Sequence, residues 1–271
     1  MGAQTESISA VLDRAIEYVA RYEDKELGNL LVAETYLQTA VTYYENQGLV
    51  DTKRQRLQSD FLMLAVGQER VGLRLVNRLN GKPLQETQKS FEALLSNSSL
   101  GVMDQIAAIR QESSRFNIGP VKREINVPTY ALKVARKTEA PRFSFAKRED
   151  KKVSGVDTWE IRFQEERAPT LMHGLNGESL LSSGSLWIEP KSGRILKTEI
   201  RVENPYSNPP AKAEITVTYK ASASLGMLVP SEMEERYTTK FTTVTAVAEY
   251  SDYRLFRVDL KSAIDPTAPN P

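Results

Sequence analysis

The chain has 271 residues, of which 40% are hydrophobic and 26% charged, with a formal net charge of +1. That length supports one large domain or two small ones, and the near-zero charge supplies no global field for nucleic acid or an anionic membrane. There is no cysteine, which excludes disulfides, thiol catalysis, cysteine metal sites and a lipid-modified N-terminal cysteine.

No apolar run approaches the roughly 20 residues that a bilayer-spanning helix needs. Met1-Gly2-Ala3-Gln4 resembles the end left by a removed export signal, a small residue followed by Gln, so a periplasmic or secreted protein is expected.

Ser7 to Tyr22 predicts the first helix: Ile8, Val11, Leu12, Ala15, Ile16 and Val19 recur at helical spacing behind a serine cap. Leu27 to Tyr44 fits two patterns. Val32, Thr35, Tyr36, Thr39 and Val41 to Tyr44 favour a strand, whereas Leu30, Leu31, Glu34 and Leu37 fit a helix. A strand is expected, because the next segments need a partner. Arg56 to Val66 and Glu69 to Leu79 form a strand pair around Gly67-Gln68, ended by Asn80-Gly81-Lys82-Pro83. Leu84 to Ser96 and Leu100 to Ser113 are amphipathic and predict a central helix pair. Arg115 to Pro128 is a connector, and Thr129 to Lys137 a last short helix.

From Arg142 onward the pattern is strands and turns. Arg142 to Arg148 and Thr158 to Arg167 pair across a charged loop running from Glu149 to Gly155. Ser182 to Val202 is the clearest hairpin, with Pro190-Lys191-Ser192-Gly193 as its turn and Leu196, Thr198, Ile200 and Val202 on one face. Ala213, Ile215, Val217 and Tyr219 alternate strictly, and Ser231 to Thr243 and Thr245 to Asp259 complete the sheet. Residues 1–262 are expected to form one α+β domain built on a large antiparallel sheet. The N-terminal helix and the central helix pair would cover its apolar side, and residues 263–271 would form a disordered tail.

The residues that carry chemistry are sparse. His173, the single histidine, cannot build a multi-histidine metal site and has no nucleophile motif beside it. Glu149-Asp150, Glu165-Glu166 and Glu234-Glu235 point to opposite faces of their strands, which predicts solvated charges and not a converging acid pair. No phosphate-binding loop is present. No enzyme, cofactor or metal is expected.

The segment Gly184 to Ile200, GSLWIEPKSGRILKTEI, is similar to the Trp-Asp/Glu-Pro-x-x-Gly hairpin of the LolA/LppX family of bacterial lipoprotein carriers. Val217-Thr218-Tyr219 followed by Leu228 to Met233 is a second, shorter match. SRFNIG (Ser114 to Gly119), REINVPT (Arg123 to Thr129) and EYSDYRLFRV (Glu249 to Val258) resemble a group of secreted acidobacterial proteins. The family resemblance implies an incomplete barrel with helices as a lid over an apolar cavity. It transfers no individual cargo-gripping residue.

Three readings follow, in this order. The first is a carrier for a lipid or other hydrophobic small molecule, without covalent chemistry. Its cavity would be lined by Phe61, Val71, Leu73, Met103, Ile106, Trp159, Ile161, Phe163, Trp187, Leu196 and Ile200. The second is a structural or interaction module with a solid core and an envelope protein as partner. The third is a hydrolase around His173.

Overall fold

The computed structural model describes residues 6–23, 29–44, 50–66, 69–84, 104, 107, 111, 114–121, 123, 127–174 and 176–255. Helix α1, Ile8–Arg21, is capped by the Ser7 hydroxyl, which accepts from the Ala10 amide at 3.1 Å. It buries Val11, Ala15, Tyr18 and Val19, spaced as one helical face. Thirteen strands follow among the described residues: β1 Leu30–Tyr43, β2 Val50–Val66, β3 Glu69–Leu79, β4 Lys82–Pro83, β5 Phe143–Val153, β6 Val156–Glu165, β7 Met172–His173, β8 Ser179–Leu180, β9 Ser182–Ile188, β10 Ile195–Asn204, β11 Ala211–Ser222, β12 Met227–Thr238 and β13 Thr242–Leu255.

Eleven of them form one antiparallel sheet in the order β4-β3-β2-β1-β13-β12-β11-β10-β9-β6-β5, while β7 and β8 pair separately. The order does not return on itself, so the barrel is open, as expected. The first and last long strands, β1 and β13, are neighbours in mid-sheet.

Directly paired residues share a face, so the register carries one row of side chains across the sheet. Ile161, Leu186, Thr198, Val217, Met233, Ala248, Tyr36 and Leu57 stand in such a row from β6 to β2. All eight are buried. The neighbouring row on the other face reads Glu160, Trp187, Lys197, Thr218, Glu232, Glu249, Thr35 and Gln58, nearly all polar. Across these eight strands one face is dry and the other wet, as in an antiparallel sheet covered on one side; on β3 the outward Val71 and Leu73 are buried as well.

Several elements differ from the sequence expectation. β2 begins at Val50, because its early residues Asp51 to Gln55 complete the ladder with β1 despite their polarity. The charged stretch Glu149 to Lys152 is strand and not loop. Only Ser154-Gly155, at φ 49° and 83°, makes the β5–β6 turn. β5 is an edge strand, and its charges suit an edge that must not recruit another chain. The short helix expected over Thr129 to Lys137 is present as a 3-10 helix, Tyr130–Ala135. The small β7–β8 hairpin had no sequence signal. The first of the two central helices and the 263–271 tail lie outside the described residues. Within the second, Asp104, Ala107, Gln111 and Ser114 are helical and exposed.

The β9–β10 hairpin seats α1. Its loop is closed by Glu189 and Arg194, with the Glu189 amide donating to the Arg194 carbonyl and the Gly193 amide to the Glu189 carbonyl, both at 2.9 Å. Arg14 Nε of α1 donates to the Pro190 carbonyl at 2.7 Å. Gly193 is in the left-handed region at φ 73°, and a Cβ there would lie 2.3 Å from the Arg14 carbonyl oxygen. Gly193→Ala therefore meets backbone strain and a backbone clash together. A loss of about 2 kcal/mol or more is expected, read as a lowered urea midpoint. Gly155→Ala, also left-handed but with open space around it, is expected to cost only about 1 kcal/mol.

Candidate functional site: the covered inner face of the sheet

The dry face is covered by α1, by the connector around Phe116 to Arg123, and by the segment from Val127 through the 3-10 helix. Each is tied to the sheet by a side chain that reaches a main-chain oxygen across the seam, from α1 in one case and from the sheet in the others. Tyr22, at the end of α1, donates to the Leu228 carbonyl at 2.9 Å. Gln38 and Gln55 both donate to the Phe116 carbonyl, at 2.9 and 2.6 Å. The Tyr219 hydroxyl donates to the Pro128 carbonyl at 2.8 Å. Irregular backbone lying on an apolar face needs such partners, because water is not there to supply them.

Beneath the connector lies a buried charged network. Arg74 Nη2 donates to Glu34 Oε1 at 2.7 Å, its Nε to the other carboxylate oxygen, and its guanidinium lies 4.1 Å over the Tyr36 ring. The Tyr36 hydroxyl donates to Glu235 Oε2 at 2.8 Å and accepts from Arg123 Nη1 at 2.7 Å. Arg123 also donates to the Ile118 carbonyl, and its Nη1 stands 3.9 Å from Glu235. The four charged side chains are almost wholly buried, two cations against two anions. Burial pushes the Glu235 carboxyl above its ordinary range, against the pull of Arg123 and Arg74. Burial opposes the Arg74 charge, yet the adjoining Glu34 carboxylate raises its pKa. The Tyr237 hydroxyl, Glu235 Oε1 and Arg123 Nε lie buried in the same network without a hydrogen bond of their own in the protein.

Of the residues expected to line a cavity, Phe61, Trp159, Ile161, Phe163, Leu196 and Ile200 lie on the inner face. Phe61, Ile161 and Phe163 have no accessible surface at all, so they are packed core here and do not border a void. Val71, Leu73 and Trp187 sit on the opposite face. The register places Gly72, Arg74 and Val76 inward on β3, and Leu186 and Ile188 inward on β9. The alternation in β3 was readable, but its parity was not, because the inward charge Arg74 is neutralised by a strand two places away. Trp187 is shielded outside by Lys197, whose Nζ is 5.1 Å from the ring. Met103 and Ile106 lie outside the described residues.

The adjacent carboxylates do diverge as their strand positions require, but one member of two pairs is buried. Glu165 accepts from the Leu171 amide, the Ser182 amide and the Ser182 hydroxyl at 2.8 to 3.0 Å, organising the loop between β6 and β9. Glu235 belongs to the network above. His173 is exposed on β7 opposite Ser179. Among the described residues no group of three His, Cys, Asp or Glu side chains is placed to hold a metal ion.

On the outer face, β12 and β13 pair only as far as Glu232 and Glu249, and beyond that point the strands part. A polar groove of about 460 Å³ lies there, lined by Lys220, Ser222, Ser251, Asp252 and Tyr253 among others. The Tyr253 hydroxyl closes part of the gap by donating to the Pro230 carbonyl at 2.5 Å.

Two consequences are measurable. Arg74→Ala leaves Glu34 buried without its cation and is expected to cost about 3–5 kcal/mol. The double replacement Glu34→Gln with Arg74→Met is expected to recover much of that, as read by urea unfolding of the mutant cycle. The phenols of Tyr36, Tyr219, Tyr237, Tyr250 and Tyr253 are all pushed above the ordinary tyrosine value, chiefly by burial. The unfolded chain ionises them near about pH 10. Their contribution to stability is thus intact below that pH and lost as pH rises above it. Tyrosinate absorbance from these five side chains is expected to appear together with loss of the sheet's circular dichroism, not before it.

No protein-family model matches the chain, and no curated protein matches it. Similar solved structures include a domain from Vibrio parahaemolyticus assigned to outer membrane lipoprotein sorting, 17% identical, with 90% of this chain and 91% of that one covered and a TM-score of 0.39. A LolA superfamily protein from Nitrosomonas europaea is 12% identical over 94% of this chain and 97% of that one, with a TM-score of 0.36. A DUF1329 family protein from Desulfovibrio piger is 10% identical over 93% and 94%, with a TM-score of 0.36. The open antiparallel sheet itself rests on the strand pairing described above.

Proposed function

We propose that the protein is a non-covalent binding protein of the cell envelope that takes up a lipid or another hydrophobic ligand between the sheet and its cover. One observation carries this reading. The apolar inner face of an open sheet is closed by a separate layer of short segments, joined to the sheet through a few hydrogen bonds and not through strand pairing. Such a layer can lift without breaking the sheet's ladder. Phe61, Ile161, Phe163, Leu196 and Ile200 would then meet the ligand, and the apolar area they present would supply the affinity. The ligand-free face is packed, so uptake requires the cover to move.

A second reading is an interaction module with a permanently solid core. The fully dry Phe61, Ile161 and Phe163 and the buried Glu34–Arg74 and Arg123–Glu235 pairs favour it. The two separate on one experiment. Protein purified natively from a bacterial host is extracted with organic solvent, and the extract is compared by mass spectrometry with a mock purification. A stoichiometric lipid is expected. An empty extract, together with no binding of an environment-sensitive fatty-acid probe by either the parent chain or Gly193→Ala, would leave the solid-core module.

A further inference from the structure

Eight large apolar side chains are exposed among the described residues: Leu37, Tyr43, Tyr44, Val50, Leu181, Tyr206, Phe241 and Leu255. Scattered singly they would call for no explanation. They are not scattered. The register puts six of them at one end of the sheet. Tyr43 pairs directly with Val50, the Tyr43 amide donates to the Phe241 carbonyl at 2.8 Å, and Tyr44 follows Tyr43. Tyr206 sits in the loop joining β10 to β11 at the same end, and Leu181 precedes Ser182, which pairs with Val202 near the end of β10. Tyr206 is 66% exposed and Tyr43 56%.

Among the described residues, the exposed charges near this end are mostly basic. Lys212 is paired with Glu203 at 2.7 Å. Lys240 is exposed next to Phe241, and Lys53 and Arg54 are exposed three and four residues in from Val50, on opposite faces of β2, with Asp51 as the acidic neighbour on that strand. Lys240 Nζ lies 4.6 Å over the Phe241 ring. Exposed tyrosines and a phenylalanine interleaved with basic side chains have the composition of a membrane-interface belt. The amphipathic rings settle at headgroup depth, and the cations meet lipid phosphates. No helix among the described residues is long and apolar enough to cross a membrane.

We propose that this rim, formed by the ends of β9 to β13, β1 and β2, docks the protein on a lipid bilayer bearing anionic headgroups. The observation is independent of the inner face, and the assay needs no ligand in the protein, so its failure leaves the ligand reading standing. Full-length protein is sedimented with vesicles of phosphatidylcholine containing phosphatidylglycerol, and with vesicles of phosphatidylcholine alone. Binding is expected to be at least about tenfold stronger to the anionic vesicles and to fall as salt rises. Tyr206→Ser with Phe241→Ser is expected to lose binding about tenfold. Lys53→Gln with Arg54→Gln is expected to lose about fivefold per charge on anionic vesicles only. All four side chains are exposed, so the variants keep the parent's unfolding midpoint, which is checked alongside. Binding to neither vesicle, equal binding to both, or unchanged binding by the aromatic variant would overturn the proposal. So would self-association without vesicles, seen by analytical ultracentrifugation and abolished by the aromatic variant, because the rim would then be an interface between copies.

Discussion

One face of an eleven-stranded open sheet has to be kept dry without a second sheet to press against it. Everything else in the structure answers that constraint. The row from Ile161 to Leu57 crosses eight strands without reaching water, and a single helix about 10 Å wide cannot span it. α1 covers the part above the β9–β10 hairpin, where Arg14 and Gly193 bring the two backbones into contact. The remainder falls to irregular chain, which brings carbonyls that the sheet must satisfy. Hence the polar side chains on an otherwise apolar face: Gln38, Gln55 and Tyr219 are hydrogen-bond posts for the cover, and Tyr22 of α1 reaches back to a sheet carbonyl.

The charged network is the costliest part of that arrangement. Four charges withdrawn from water are tolerated only because they are paired and share Tyr36 as a bridge. Apolar side chains of similar volume would serve stability equally well. What the charges add is position: Arg123 reaches from the connector to Tyr36 and Glu235, so the connector has one seat on the sheet and not several. The raised Glu235 pKa follows from this placement, since burial outweighs both neighbouring guanidiniums.

The two proposed surfaces are separate in the fold. The inner face holds apolar area under the cover, and the rim at one end of the strands holds aromatic and basic side chains in the open. Neither requires the other to be folded differently, and among the described residues no group of three His, Cys, Asp or Glu side chains is placed to hold a metal ion.

Strict alternation, turn chemistry and helix spacing were local properties, and the sequence by itself determined them. They include the α1 face, the Pro190–Gly193 turn, the alternation from Ala213 to Tyr219 and the strands on either side of them. The antiparallel sheet was legible for the same reason, whereas its openness was expected only from the resemblance that the Gly184–Ile200 hairpin carries. The tertiary structure alone decided which parity of a strand faces inward. Alternation defines two faces but not their identity; on β3 the inner face holds Arg74 because Glu34 waits on β1, 40 residues earlier. Tyr36 and Glu235 meet across 199 residues, so no window of sequence could mark either as buried. The aromatic rim was invisible for the same physical reason: its six side chains come from distant turns and strand ends, and only the register of the sheet brings them to one edge.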